Sequence, residues 1–216
     1  MKNKLLEISS KLDSKFYFNF NIGKLTWFRT GGNAKVFIIV QNTKELEIIL
    51  NEINNDNFYI MGSGSNLLVR DKGFDGIIIK LGEGFKQLNI IEDKLEIGAS
   101  VLDINLANFA LKNNIDGLEF FSGIPGSIGG AVKMNAGCFG SETKDKLIKI
   151  EVYNEQFERK FLDIKEIKLN YRSSKINDKQ IISKAYFKIN FGNEIDIKQK
   201  MKEIKMKRLS TQPIKN

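Results

Sequence analysis

Two glycine-rich segments carry the residue types that most clearly suggest chemistry in this sequence. The first consists of Gly62, Ser63, Gly64, Ser65 and Asn66. Consecutive small residues can turn their backbone N–H groups toward an anion, and serine and asparagine side chains add further donors, so this loop could hold a phosphate. The same five residues also fit a tight turn that binds no ligand.

The second segment, Gly123 to Gly137, contains five glycines in fifteen residues. Because glycine costs roughly 0.5 to 1 kcal/mol relative to alanine inside regular structure, this density predicts close approach of a large group to the backbone. Pro125 predicts a short helix that begins at Gly126 or Ser127, whose free N–H groups would face the same anion. Two such segments indicate a diphosphate. A helix packed against a neighbour through its small residues is the alternative.

The first segment is not a dinucleotide-binding fingerprint of the G-x-G-x-x-G type. That motif needs glycine where Leu67 stands, followed by a helix. Residues 67–69 instead have the composition of a short strand.

The sequence has no histidine and a single cysteine, Cys138. These counts exclude serine–histidine and cysteine–histidine nucleophile systems and histidine-based zinc sites. No acidic cluster has the spacing of a metal site, so we predict none. A lone cysteine is usually a small apolar filler, and we assign Cys138 no catalytic role.

The pattern of apolar residues predicts an α+β fold rather than a doubly wound parallel sheet, because strands outnumber helices and short turns join several of them. Helices are predicted over 43–54, 101–113 and 194–209, the first with Asn42 or Thr43 as its cap. Strands are predicted over 34–40, 58–61, 67–69, 76–81, 87–91, 94–97, 147–153, 158–161 and 181–191. We expect one subdomain over 16–82, a second over 83–192, and a C-terminal helical region over 193–216.

The formal net charge is +8, but the lysines are scattered along the chain rather than gathered in one stripe. We therefore expect no nucleic acid partner. No apolar run approaches the ~20 residues of a membrane span and no cleavable signal is visible, so we expect a cytoplasmic protein with no membrane partner. The predicted last helix could lie on a membrane surface, but packing of Ile197, Met201 and Ile204 on protein is the favoured interpretation.

Five motifs occur in the order and spacing of a known family. They are Thr26-Trp27-Phe28-Arg29-Thr30-Gly31-Gly32-Asn33-Ala34, the run from Met61 to Leu68, Gly117-Leu118-Glu119, the run from Gly123 to Gly137, and Tyr171-Arg172-Ser173-Ser174. With these motifs, nearly the whole chain resembles the UDP-N-acetylenolpyruvoylglucosamine reductases, in their shorter second type.

The resemblance implies the FAD-binding fold of p-cresol methylhydroxylase and vanillyl-alcohol oxidase, with two subdomains that hold FAD between them. It also implies that NADPH reduces the flavin, which then reduces the enolpyruvyl UDP-sugar to UDP-N-acetylmuramate for peptidoglycan synthesis. A flavin would supply the redox chemistry that a chain without histidine lacks. The cofactor-binding positions that it implies are Gly62, Ser63, Gly64, Ser65, Asn66, Leu67, Ile124, Pro125, Gly126, Ser127, Gly129, Gly130, Ala131, Asn135 and Gly137.

By the same resemblance, Arg172 is a catalytic residue and, with Tyr171, a substrate contact. A permanently charged guanidinium could hold the substrate carboxylate and stabilise the negative charge that develops there. Without the resemblance, a Tyr-Arg pair is ordinary surface sequence.

The sequence departs from the family pattern in two places. Phe139 stands where many members have tyrosine. The stretch after Thr211-Gln212-Pro213, which in the family carries a serine proton donor and a distant glutamate, does not follow before Asn216. We therefore expect either an enzyme that needs a missing part or a separate C-terminal polypeptide, or an FAD-binding module that turns over very slowly alone. Another flavoprotein of the same fold is a third alternative.

Overall fold

A computed structural model describes residues 2–53 and 56–212 of the chain. Its helices are α1 (Lys2–Ser9), α2 (Thr43–Glu52), α3 (Asp103–Lys112), α4 (Ile128–Lys133), α5 (Ile164–Ile167) and α6 (Glu194–Thr211). Its strands are β1 (Lys15–Asn21), β2 (Asn33–Val40), β3 (Phe58–Ile60), β4 (Phe74–Leu81), β5 (Leu88–Ile91), β6 (Lys94–Gly98), β7 (Ile115–Asp116), β8 (Gly137–Cys138), β9 (Ser141–Glu142), β10 (Leu147–Tyr153), β11 (Arg159–Asp163), β12 (Ile181–Lys188) and β13 (Asn190–Phe191).

The first sheet has the strand order β1-β2-β4-β3, and α2 connects β2 to β3. Strands β2 and β3 both run parallel to β4, whereas β1 is antiparallel to β2. Helix α2 begins as predicted, because the Asn42 side chain accepts a hydrogen bond from the backbone N–H of Glu45 at 2.9 Å. Its predicted apolar face is fully buried. The predicted last residue, Asn54, lies outside the described residues.

Glu45 ties α2 to the segment that leads into β1. Its carboxylate accepts hydrogen bonds from the backbone N–H of Ser14 at 2.8 Å, from the Ser14 hydroxyl, and from the Asn42 amide at 3.0 Å. Burial raises the pKa of Glu45, but these donors outweigh burial and the net pKa lies below the ordinary value of 4.5.

We expect Glu45→Gln to lower the free energy of unfolding at neutral pH by about 1 to 2 kcal/mol, because a charged acceptor is lost. A carboxyl whose pKa is lower in the folded state stabilises the fold above its unfolded pKa and stops doing so as the pH falls through its folded pKa. The difference between the two proteins should therefore shrink below about pH 4.5. Urea unfolding of both proteins between pH 3 and pH 7 measures this, and an unchanged difference at low pH would contradict it.

The second sheet has the order β11-β10-β12-β6-β5, and all neighbouring strands are antiparallel. The predicted strand over 181–191 ends at Lys188, and the chain then forms β13, which pairs with β7 rather than with the sheet. The predicted strand over 67–69 is wrong. There the chain lies against the loop before β2, because Gly31 contacts Val69 and the N–H of Gly32 donates to the carbonyl of Arg70, so no strand edge is available.

Both sheets contribute to one hydrophobic core. Ile77 and Ile79 of β4 lie in the same cluster as Leu95 and Ile97 of β6. Ile78 points to the other face of the first sheet, into a smaller cluster that includes Phe37, Met61 and Ile22. Successive side chains of β4 therefore point to opposite faces of the first sheet, and apolar residues pack on both faces.

Helix α6 packs on the second half of the molecule with Ile197 and Ile204 buried, as its pattern predicts, while Met201 is half-buried. Among the described residues, no helix is both long and apolar enough to cross a membrane. The mixture of helices with mixed and antiparallel sheets is the predicted α+β class. The subdomain limits given above stay a prediction.

Candidate functional site

The two glycine-rich segments meet across one cavity of about 720 Å³. The loop after β3 and the turn into α4 both line it. They also touch each other: a Cβ atom placed on Gly62 would lie 2.6 Å from the Ser127 hydroxyl oxygen. Segments that are sixty residues apart in the sequence thus line a single site.

Several backbone N–H groups at this cavity have no backbone acceptor within the described part of the chain. They belong to Gly62, Ser63, Gly64, Ser65, Gly126 and Ser127. Gly64 has φ +79°, in the left-handed region, and its Cα lies against the backbone carbonyl of Leu25, so a side chain at this position would be both strained and crowded. Free N–H groups around a cavity can bind the oxygens of an anion.

Helix α4 begins at Ile128, one residue later than the latest predicted start, with Ser127 as its N-cap. The Ser127 side chain does not cap the helix but lies over Gly62. The backbone before α4 is held against the chain that leads into α3, since the N–H of Ile128 donates to the carbonyl of Val101 at 2.9 Å.

Two cationic side chains, Lys133 and Arg172, line the cavity. Lys133 is held in place, because its ammonium group pairs with Asp178 at 2.8 Å and donates to the carbonyl of Ile176. Because Asp178 also lines the cavity and offsets the charge of Lys133, the free N–H groups and Arg172 are the features that suit a ligand with negative charge.

Arg172 also lines a second cavity of about 340 Å³, together with Tyr171, Gly137 and Phe139. Its Nη2 atom donates to the carbonyl of Gly137 at 3.4 Å, a long hydrogen bond, and its guanidinium lies 5.7 Å from the centre of the Tyr171 ring. Arg172 has φ +54°. The arginine therefore stands where the two cavities adjoin, on a turn with unusual backbone geometry.

Asn135 holds that turn. Its amide donates to the Glu142 carboxylate at 2.9 Å and to the carbonyl of Asn170 at 3.0 Å, and its Oδ1 accepts from the N–H of Lys144 at 3.0 Å. Asn135 is buried and has φ +41°. It thus connects the end of the second glycine-rich segment to the residue that precedes Tyr171.

The structure divides the predicted site residues between the two cavities. The larger cavity is lined by Gly62, Ser63, Gly64, Ser65, Asn66, Leu67, Ile124, Pro125, Gly126, Ser127, Gly129, Gly130, Ala131 and Arg172. The smaller is lined by Asn135, Gly137, Tyr171 and Arg172. Because the polar atoms of Asn135 bind protein groups, its side chain acts here on the architecture of the site.

Asp103, which no sequence motif indicates, is a lining residue of the larger cavity and lies in the first turn of α3. Asp103 is fully buried, and neither carboxylate oxygen has a hydrogen-bond partner in the described structure. Burial raises its pKa well above the ordinary value. The sequence does show an acidic residue next to apolar positions of a predicted helix. It does not show that Asp103 lies close to Gly126.

Cys138 lines the smaller cavity, and its thiol donates to the carbonyl of Phe120 at 3.1 Å. Burial raises its pKa to about 11, so the thiol stays protonated near neutral pH. Among residues 2–53 and 56–212, no group of acidic and cysteine side chains is arranged to hold a metal ion.

Comparison with known proteins agrees with a nucleotide-containing ligand at this site. Residues 34–156 match the family model described as "FAD binding domain". This range includes the first glycine-rich segment, the second, and Asp103.

Similar proteins match over a longer range. UDP-N-acetylenolpyruvoylglucosamine reductase from Rickettsia conorii is 44% identical over 201 residues, which is 91% of this chain and 67% of that protein. The protein of the same name from Rickettsia canadensis is 43% identical over 202 residues, with the same two coverages. The crystal structure of UDP-N-acetylenolpyruvylglucosamine reductase from Thermus caldophilus superposes with a TM-score of 0.80 at 27% identity, covering 93% of this chain and 71% of that one.

Proposed function

The chain belongs to the UDP-N-acetylenolpyruvoylglucosamine reductase family and has that family's FAD-binding domain, and we propose that it reduces the enolpyruvyl UDP-sugar to UDP-N-acetylmuramate. NADPH is the proposed electron source, and peptidoglycan synthesis is the proposed process. The observation that carries the proposal is the convergence of the two glycine-rich segments on one cavity with Arg172 at its edge.

The larger cavity fits FAD by its own properties. Its volume of about 720 Å³ lies in the usual range of ligand sites, roughly 300 to 1,000 Å³. Free N–H groups on both walls suit a diphosphate, with Lys133 and Arg172 as nearby cations. We propose that the loop from Gly62 to Asn66 and the segment around Gly126 and Ser127 hold the diphosphate.

When bound, FAD would supply hydride transfer from NADPH to the enolpyruvyl double bond, and a proton from water would complete the reduction. The protein's part is to position the substrate and stabilise charge. We propose that Arg172 binds the substrate carboxylate from the smaller cavity, because a planar guanidinium can bind two oxygens and keeps its charge at all physiological pH values. As negative charge develops beside that carboxylate, the fixed cation lowers the barrier.

We propose Tyr171 as a second substrate contact, since its ring is 80% exposed beside the smaller cavity. Phe139, which is 44% exposed, lies in the same cavity and offers an apolar surface without a hydroxyl group. Substrate orientation in this chain therefore depends on Tyr171 and Arg172 rather than on a hydroxyl at position 139.

The decisive experiment has two stages. Apoprotein is titrated with FAD and the flavin absorbance and fluorescence are followed; NADPH oxidation is then measured with and without the enolpyruvyl UDP-sugar, and the product is identified by mass spectrometry. We expect a flavoprotein whose NADPH oxidation is slow in this chain alone and depends on that substrate. FAD binding without turnover would leave the FAD-binding module as the function of this chain, and no FAD binding would overturn the proposal.

We expect Asn135→Ala to weaken binding of the UDP-sugar about tenfold, because loss of its buried hydrogen bonds, at roughly 1 to 3 kcal/mol, loosens the turn that places Arg172. FAD affinity should change less, since Asn135 lines the smaller cavity and not the larger one. Both dissociation constants are measured from flavin absorbance changes. Asn135→Asp should not recover the loss, because a carboxylate oxygen would replace the amide donor that faces the Glu142 carboxylate and the carbonyl of Asn170.

Asn154→Ala is the matched control for that variant. Asn154 is also a buried asparagine that holds a turn, accepting from the N–H groups of Gln156 and Glu158, but it lines neither cavity. It should lower thermal stability without changing substrate affinity. Equal losses of substrate affinity in both variants would contradict a positioning role for Asn135.

We also propose a cytoplasmic location, where NADPH and nucleotide sugars are available, and a UDP-sugar as the principal partner, with no nucleic acid or membrane partner. A separate polypeptide as a further partner stays a prediction.

A further inference from the structure

A short wall segment, residues 174–180, lines the larger cavity although it is neither a helix nor a strand. It begins two residues after Arg172 and ends just before β12. The residues of this wall segment that line the cavity are Ile176, Asn177, Asp178 and Gln180. The N–H of Asn177 donates to the Gln180 side chain at 2.8 Å, and the N–H of Gln180 donates to the carbonyl of Asn177 at 3.0 Å, so the segment contains a turn. The place of that turn depends on contacts with the rest of the chain.

Lys133 joins the wall segment to α4. It is the last residue of α4, and its ammonium group donates to the carbonyl of Ile176 and pairs with Asp178 at 2.8 Å. Within the described residues, the other hydrogen bonds that leave the segment run from its backbone to α5 and from the Asn177 amide to the Glu155 carboxylate. Neither reaches a residue that lines the cavity. By hydrogen bonding and charge, Lys133 therefore ties the wall segment to another part of the cavity lining.

The pair of Lys133 and Asp178 lies where it can open. The two side chains are 34% and 81% exposed, and an exposed ion pair contributes little stability by itself. The side chains of Ile176 and Ile181 are buried, so the part of the segment that can move is the turn between them. With few hydrogen bonds to its surroundings, this turn is expected to open more easily than the helices and strands around it.

We propose that Lys133 and Asp178 are positioning residues that hold this turn against bound FAD, and that their pairing sets the rate at which FAD leaves the cavity. The proposal rests on the FAD binding stated under the proposed function. Neither residue needs to contact FAD in this role, because Lys133 acts on the backbone of the wall segment and Asp178 is part of it. When the turn is released, it opens more often and the cofactor leaves sooner.

A direct contact between Lys133 and the phosphates of FAD is the alternative, since Lys133 lines the cavity. The two roles predict opposite effects of Asp178→Asn. In the positioning role, loss of the carboxylate weakens the tie, and FAD dissociates faster. In the contact role, loss of the carboxylate frees the ammonium group from its counter-charge, and FAD is held more tightly.

The experiment measures the FAD dissociation rate by stopped flow, from the change in flavin fluorescence when holoprotein is diluted. We expect Asp178→Asn to raise this rate about threefold, as for loss of one exposed ion pair. Lys133→Met also leaves the carbonyl of Ile176 without its donor, so its rate should rise about tenfold. Lys133→Glu combined with Asp178→Lys restores a pair of opposite charges, and this double variant should release FAD more slowly than Lys133→Glu alone.

Lys184→Met is the matched control. Lys184 is also a partly exposed lysine paired with a carboxylate, that of Glu96 at 3.2 Å, but it lines neither cavity. It should release FAD at the wild-type rate. An unchanged or slower rate in Asp178→Asn, no gain from the exchange of charges, or equal rates in the Lys133 and Lys184 variants overturns the positioning role but leaves the proposed function intact. Failure of the wild-type protein to bind FAD overturns the proposed function instead.

Discussion

Replacing Arg172 with alanine is expected to lower kcat/KM for the enolpyruvyl UDP-sugar about 10³-fold, the upper range for loss of one group that stabilises developing negative charge. The guanidinium stands where the two cavities adjoin, so its removal affects substrate binding and charge stabilisation together. Steady-state NADPH oxidation measures the loss. Substrate affinity, read from the perturbation of the flavin spectrum, provides a second measure that does not require turnover.

Arg172→Lys is the informative companion variant. Lysine keeps the positive charge but cannot form the planar two-point contact with a carboxylate, so we expect it to recover only part of the alanine loss. Lys179→Ala removes a cation of the same half of the chain that lines neither cavity, and it should leave both substrate measurements unchanged. Wild-type substrate affinity in Arg172→Ala would remove Arg172 from the site.

Replacing Gly64 with alanine is expected to weaken FAD binding about 100-fold, the loss that a misplacement of roughly 1 Å can cause. Gly64 has φ +79°, and a Cβ atom there would collide with the backbone carbonyl of Leu25. The loop must move to relieve the collision, and its N–H groups should then leave the positions in which we propose that they bind the diphosphate. Titration of apoprotein with FAD gives the dissociation constant directly.

Gly140→Ala separates backbone strain from the collision. Gly140 has a similar φ of +88°, but a Cβ atom there would meet nothing within 4 Å, and the residue lines the smaller cavity only. We expect a small loss of stability, roughly 1 to 2 kcal/mol for a left-handed alanine, with FAD affinity unchanged. A similar weakening of FAD binding in both variants would show that the shape of the Gly64 loop is not what matters.

The sequence predicted those elements whose apolar residues follow a regular period. Helix α2 shows this, because Leu46, Ile49, Leu50 and Ile53 fall on one face and are all fully buried. Residues 67–69 have the composition of a strand but form none, since a strand needs a neighbouring edge and the sequence does not show which segments will be adjacent. Strand β1 was not predicted. The exposure of its residues alternates, but the less exposed positions are only half-buried, so the strand has no fully buried face.

The glycine content of the two glycine-rich segments was enough to predict that they form a ligand site. Tyr171 and Arg172 could be predicted as site residues only from the resemblance to a family. The sequence could not show that the side-chain amide of Asn135 binds Glu142 and Asn170, because those partners lie 7 and 35 residues away in the chain. Asp103 was missed for a similar reason. Asp103 lies next to Gly126, and a contact between segments that are distant in the sequence produces no periodic pattern of residues.

The shared core of the two sheets bears on how the cofactor enters. Because the β4 and β6 side chains belong to one cluster, the halves that flank the cavity cannot separate like a hinged clamp without exposing apolar surface. The entropy cost of ordering the protein around FAD is therefore met when the chain folds, and not when FAD binds. The rate of FAD binding should then be limited by entry of FAD into the cavity.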